Sequence, residues 1–135
     1  SELQAAMGRS VLPYIDTILR DRKRVCDQYN ELLDFHRLSK IQLRKDTRWN
    51  YSYYPIILNS EEELLGVLKE LNNNGIYPRR YFYPSLEELP FVNSQMKCSI
   101  AKDISERVIC LPLFVTLTSE EVRLICKIIM INLID

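Results

Sequence analysis

The chain has 135 residues, 47% of them apolar and 27% charged, the size and balance of one compact domain with its own core. Lys+Arg and Asp+Glu both number 18, so the formal net charge is zero and the basic excess of a dedicated nucleic-acid binder is missing. The longest apolar run, around Ile128–Ile131, is far too short to span a bilayer as a helix.

In chain order, Leu3, Met7 and Val11 repeat at i, i+4, i+8 and predict a helix over 1–12 with one apolar face. The chain opens at Ser1 as though already inside that helix, and no charged start followed by an apolar stretch marks a signal peptide. The expectation is a piece of a longer cytoplasmic protein. Pro13 breaks the first pattern and suits the first turn of a second helix. That helix is long and amphipathic, with Ile15, Ile18, Leu19, Val25, Cys26, Tyr29, Leu32 and Leu33 on one stripe. Residues 38–48 read as an extended connection. Tyr51–Leu58 is rich in aromatic and β-branched residues and predicts a strand, with Pro55 at an edge or bulge.

Ser60 and Glu63 form the spacing of a capping box, which starts a helix through Leu64, Leu65, Leu68 and Leu71. Asn72-Asn73-Asn74-Gly75 ends it, with Gly75 suited to a left-handed conformation. Ile76–Tyr81 predicts a second strand, and residues 84–98 read as mostly irregular. A short helix over 99–106 leads into a third strand, Arg107–Leu111, stopped by Pro112. Thr118 and Glu121 repeat the capping-box spacing before a last helix carrying Val122, Ile125, Ile129 and Leu133. The order α-α-β-α-β-α-β-α predicts an α/β or α+β fold: a single domain over 1–135, with helices over 1–34, an α/β layer over 50–135, and a three-stranded sheet covered on one face.

Chemistry-bearing motifs are few. Cys26, Cys98, Cys110 and Cys126 contain no C-x-x-C pair, and His36 is the sole histidine, so no metal site is expected. The cysteines read as reduced and mostly buried. His36 reads as a helix-end residue without an orienting partner. Glu61–Glu63 and Glu120-Glu121 fall at helix N-termini, where negative charge complements the dipole. No phosphate-cradling glycine loop occurs among Gly8, Gly66 and Gly75. No lysine lies in an apolar context that would lower its pKa for Schiff-base chemistry.

Two aromatic stretches remain: Trp49-Asn50-Tyr51-Ser52-Tyr53-Tyr54, and Arg79-Arg80-Tyr81-Phe82-Tyr83-Pro84-Ser85-Leu86. On a strand, Arg79, Tyr81 and Tyr83 would share one face, and Arg80 and Phe82 the other. The pattern fits both a half-buried edge strand with snorkelling arginines and a ligand-facing surface. RNA binding through 79–83 finds no support, because the glycines of an RNP1 pattern are absent.

Four segments, in order, resemble one family. Ser1–Gly8 is similar to its S-E-L-Q-A-A-x-G helix, and Arg22–Leu33 to its R-R…Y-x-x-L-L helix. Gly75-Ile76 with Tyr81–Leu86 is similar to G-I-x-x-R-x-Y-F-x-P. Ala101–Leu113 is similar to A-x-x-x-S-x-x-V-L-x-L-P-L. The chain thus resembles the C-terminal part of the DegT/DnrJ/EryC1/StrS aminotransferases, which use pyridoxal phosphate to aminate nucleotide-linked keto sugars.

The resemblance implies the small C-terminal domain of the type I aminotransferase fold, closing over a large domain that carries the cofactor and its Schiff-base lysine. No catalytic or cofactor-binding residue is then expected in these 135 residues. It implies sugar or diphosphate contact by Arg80, Tyr81 and Tyr83, with Asn50 and Tyr51 nearby. Ser85 stands where many members carry a histidine after the proline, and Tyr81–Leu86 resembles members acting on thymidine-diphosphate 3-keto or 4-keto deoxy sugars. Glutamate as amino donor, a homodimer, and exposed apolar surface on the first two helices are also implied. A non-catalytic, small-ligand-binding α/β module is the alternative.

Overall fold

The computed structural model describes residues 1–92 and 98–133. The part of the irregular 84–98 reading that falls on 93–97, including Lys97, lies outside the described residues.

Helix α1 (Glu2–Val11) starts with a capping box in which Ser1 and Gln4 satisfy each other's backbone N–H. It buries no residue: Leu3, Met7 and Val11 are 71%, 63% and 50% exposed. A one-turn 3-10 helix at Leu12–Tyr14, with Pro13 in its first turn, links it to α2 (Ile15–Leu32). Ile15 is also exposed, while Val25, Cys26 and Tyr29 farther along α2 are buried. The exposed apolar surface expected on the first two helices is present, and it runs from Leu3 to Ile15.

The sheet has three antiparallel strands in the order β1 (Ser39–Lys40), β2 (Tyr54–Ile57), β3 (Val108–Leu111). Two expectations are corrected. The 38–48 connection contains an edge strand, and Ile76–Tyr81 is not a strand. In that segment only Arg79 pairs, through an isolated bridge in which Arg79 N–H and Cys110 N–H each donate to the other's carbonyl, at 3.2 and 2.8 Å. Pro78 and Pro84 remove backbone donors on both sides of it.

Pro55 lies in the central strand, not at an edge. The register explains why this is tolerated. Pro55 faces Cys110, whose N–H and C=O both turn toward Arg79, so no donor is needed on the β3 side. On the other side, β1 ends where Lys40 pairs with Ile56.

Helix α3 (Glu61–Asn73) is capped by Ser60 Oγ, which accepts from Glu63 N–H at 3.1 Å. The Glu63 carboxylate accepts from Asn59 N–H at 2.8 Å, one residue before the cap. The helix ends in a Schellman motif: Ile76 N–H donates to Leu71 C=O, Gly75 N–H to Asn72 C=O, and Gly75 sits at φ +73°. Ile76 then packs against the core. Helix α4 (Ser99–Arg107) runs directly into β3.

Helix α5 (Ser119–Ile131) begins with the Thr118–Glu121 capping box, at 3.2 and 2.8 Å. The bonds from Thr118 hold the Glu121 carboxyl below the usual glutamate range. Thr118→Ala removes the cap and should destabilise the protein by about 1 kcal/mol, read as a shift in denaturation midpoint. Because Glu121's pKa is depressed, its contribution is present above the unfolded glutamate pKa and fades as pH falls through the folded one. The Thr118→Ala difference should therefore shrink in acid.

Helices α2, α3 and α5 cover one sheet face, where Tyr54, Ile56, Ile109 and Leu111 join Val25, Tyr29, Leu64, Val67, Val122, Ile125 and Ile129 in one core. The two core phenols are paired: Tyr29 Oη donates to Pro112 C=O at 2.9 Å and Tyr54 Oη to Asn30 Oδ1 at 2.9 Å. Burial pushes the Tyr29 and Tyr54 phenols well above their ordinary pKa.

Cys26, Cys110 and Cys126 are buried and Cys98 is exposed. Burial pushes the Cys26 and Cys126 thiols up to about 12. In the native protein a thiol reagent should label Cys98 first, faster at higher pH, with Cys26 and Cys126 reacting only on unfolding. Fast labelling of Cys26 or Cys126 would contradict this packing. Mass spectrometry of the labelled peptides makes the distinction.

Candidate functional site

The sheet face opposite the helices carries Pro55, Ile57, Val108 and Cys110. The two aromatic stretches gather beside it. Tyr53 from the loop before β2 and Tyr81 from the loop after α3 meet edge to face, with centroids 5.4 Å apart. Phe82 continues the stack at 5.2 Å from Tyr81 and is 74% exposed. The geometry is an open aromatic shelf, not a closed core: Tyr53 and Phe82 are 54% and 74% exposed.

Two hollows share Tyr53 and Tyr81. A cavity of about 280 Å³ is lined by Trp49, Asn50, Phe82 and Cys110 as well. A wider groove of about 760 Å³ runs past Tyr77 and Arg79 to Phe114 and Leu124. Arg79 is exposed, and its Nη1 donates to Tyr81 Oη at 2.5 Å. A guanidinium and a phenol hydroxyl thus stand together at the rim of an aromatic groove. That pairing suits a ligand with a flat ring at one end and an anionic, oxygen-rich group at the other.

The residues expected to form the site are not all placed there. Tyr81 lies on the shelf and Asn50 lines the smaller cavity. Asn50 Oδ1 accepts from Ser52 N–H at 3.1 Å and shapes the loop, which puts Tyr51 at φ +51°. Tyr51 packs on Trp49, centroids 4.7 Å apart. Arg80 points inward to Glu61 and Glu106, under the Tyr83 ring. Ser85 is 8% exposed, and its carbonyl accepts from Glu88 N–H. The strand reading put Arg79, Tyr81 and Tyr83 on one face. The structure keeps Arg79 with Tyr81 but sets Tyr83 against Arg80. Tyr53 and Arg79 were not singled out from sequence, and only their position in aromatic and basic runs pointed to them.

Elsewhere, His36 is exposed at the end of α2, its N–H donating to Asp34 Oδ1 at 2.9 Å. Among the described residues, no group of three His, Cys, Asp or Glu gathers as a metal site. Among them too, no helix is long and apolar enough to cross a membrane.

The arrangement of three antiparallel strands with helices on one face occurs in aminotransferases of known structure. The aminotransferase TlmJ from Streptoalloteichus hindustanus superposes with a TM-score of 0.85 at 19% identity, over 96% of this chain and 35% of its own. This is therefore a small domain of the aminotransferase fold. The profile of the DegT/DnrJ/EryC1/StrS aminotransferase family matches residues 1–130, and the chain belongs to that family. It is 33% identical over 129 residues to the dTDP-4-amino-4,6-dideoxy-D-glucose transaminase of Shigella dysenteriae, covering 89% of this chain and 34% of the relative. The Escherichia coli transaminase of the same description is 30% identical, over 96% of this chain and 37% of its own. The chain spans about a third of the length of these relatives.

Proposed function

We propose that the chain is the C-terminal, substrate-closing domain of a pyridoxal-phosphate-dependent aminotransferase that moves an amino group from glutamate to a nucleotide-linked keto sugar. The observation that carries this reading is the arginine–tyrosine rim at Arg79, Tyr81 and Tyr53, on a chain whose relatives are dTDP-amino-sugar transaminases. In this reading Arg79 meets the diphosphate, Tyr81 and Tyr53 flank the sugar or base, and Asn50 and Phe82 line the deeper end. Tyr51, Arg80, Tyr83 and Ser85 support the loops that carry them. A cytoplasmic homodimer is part of the proposal. The exposed Leu3–Ile15 surface favours it over a self-contained binding module, because a module would have no use for so much bare apolar area.

Bound pyridoxal phosphate supplies the electron sink for amino transfer. Three of the described lysines, Lys23, Lys40 and Lys102, do not suit its attachment. A Schiff-base lysine must be readily deprotonated, whereas Asp27 and Glu88 raise the pKa of Lys23 and Lys102 through ion pairs of 2.6 and 2.7 Å. Lys40 donates to Asn30 and lies over the Phe35 ring. In this reading the lysine of the reaction belongs to the rest of the longer enzyme. The part played here is binding, orientation and exclusion of water by the Tyr53–Tyr81–Phe82 shelf.

The test is an assay of the longer polypeptide carrying this chain, supplied with pyridoxal phosphate, glutamate and a dTDP-linked 4-keto-6-deoxy sugar. The expected result is one amino-sugar nucleotide formed per 2-oxoglutarate. Turnover of glutamate with no keto-sugar nucleotide accepting the amine would defeat the proposal.

A further inference from the structure

We infer that Arg80 is a positioning residue: it clamps the Tyr81–Ser85 loop to α3 and α4 and thereby fixes where Tyr81 and Arg79 stand. The inference rests on the reading that this loop faces the substrate.

Three attachments meet on one guanidinium. Nη2 of Arg80 donates to Glu61 Oε1 at 2.8 Å and to Glu106 C=O at 2.7 Å. The Arg80 Cζ lies over the Tyr83 ring, 3.6 Å from the centroid. Glu61 is the first residue of α3, where the dipole favours its carboxylate. Glu106 is in the last turn of α4, where carbonyls lack intrahelical partners. Arg80 therefore ties the loop to the start of one helix and the end of another, and its side chain is only 17% exposed. Its Nε is buried without a hydrogen-bond partner, so the attachment runs through Nη2 and the ring contact.

The neighbouring arginine is used the opposite way. The Arg79 backbone is pinned to Cys110 in both directions, while its side chain reaches the groove. Two adjacent guanidiniums thus divide the work: one anchors, one is presented. A lysine could not replace Arg80, because a compact, strongly hydrated ammonium has no planar guanidinium to lay over Tyr83 while donating to Glu61 and Glu106.

The experiment compares Arg80→Ala, Arg80→Lys, Glu61→Gln and the Arg80→Ala/Glu61→Gln pair in the full-length enzyme. Two quantities are read: KM for the sugar nucleotide, and hydrogen exchange of the Tyr81–Ser85 amides. Each single variant should speed exchange in that loop about tenfold or more, as expected when a tethered segment is released. Each should raise KM for the sugar nucleotide with little change in KM for glutamate. The double variant should be no worse than Arg80→Ala alone, the non-additive result for two ends of one contact. Arg80→Lys should behave like the alanine variant.

A Glu61→Gln enzyme with wild-type exchange and KM, beside an Arg80→Ala enzyme with raised KM and unchanged exchange, would overturn the inference in favour of direct substrate contact. If no keto-sugar nucleotide is turned over, exchange alone decides, and unchanged exchange in both single variants overturns the clamp. Should Arg80→Ala fail to fold, Glu61→Gln carries the same test.

Discussion

Ile109→Ala should destabilise the protein by about 2–5 kcal/mol, the cost of removing a large buried aliphatic side chain and leaving a cavity. Ile109 is fully buried in β3, opposite Ile56, and sits in the same core as Tyr29, Val67 and Ile129. It belongs to the core between the sheet and the helices, so its removal leaves a buried cavity. Domains of this size are stable by only about 5–15 kcal/mol, so the loss is a large share of the total. Urea denaturation followed by circular dichroism measures it. A shift below about 1 kcal/mol would mean that β3 does not pack as described. The site would suffer too, because Cys110, the next residue, holds the Arg79 bridge.

The second large effect is on binding. Arg79→Ala should raise KM for the sugar nucleotide about tenfold or more, since a hydrogen bond to a charged group is worth roughly 1.5–3 kcal/mol. KM for glutamate should be nearly unchanged, because the amino donor carries no diphosphate. The added KM should fall away at high salt, where the wild-type contact is itself screened. Equal rises for both substrates would place Arg79 in general loop support instead of diphosphate contact. Arg79→Ala should leave hydrogen exchange in the Tyr81–Ser85 loop close to wild type, unlike Arg80→Ala. Kinetics and exchange together therefore separate the two arginines.

Much of the architecture was legible because it is local. The Thr118–Glu121 box, the Asn72–Ile76 helix end and the Val25–Tyr29 stripe on α2 all rest on spacings within a few residues. β1 was not legible. It is two residues long, and only its pairing with Ile56 and Ile57 makes it a strand. Ile76–Tyr81 misled for the converse reason. Its tyrosines and isoleucine suit a strand, but the prolines around it and the inward turn of Arg80 leave a single bridge. Pro55 looked like an edge residue, yet a central strand holds it because Cys110 turns its backbone away.

The site was half legible on the same grounds. Clustered rings and guanidiniums marked the right stretch, and the Pro84-Ser85-Leu86 departure from the family's histidine was visible directly. The division between Arg79 and Arg80 was not. It depends on Glu61, 19 positions away, and on a carbonyl at the end of α4, 26 positions away. No side-chain pattern announces a backbone carbonyl.

The most direct test of the account is a crystal structure of the cofactor-loaded, full-length enzyme with its amino-sugar nucleotide bound. The account predicts the Arg79 guanidinium within about 3 Å of a diphosphate oxygen, hydrogen-bond distance, with Tyr81 and Tyr53 against the ligand and Arg80 still on Glu61. A nucleotide sugar bound with Arg79 in open solvent and the Tyr53–Tyr81 shelf untouched would contradict it.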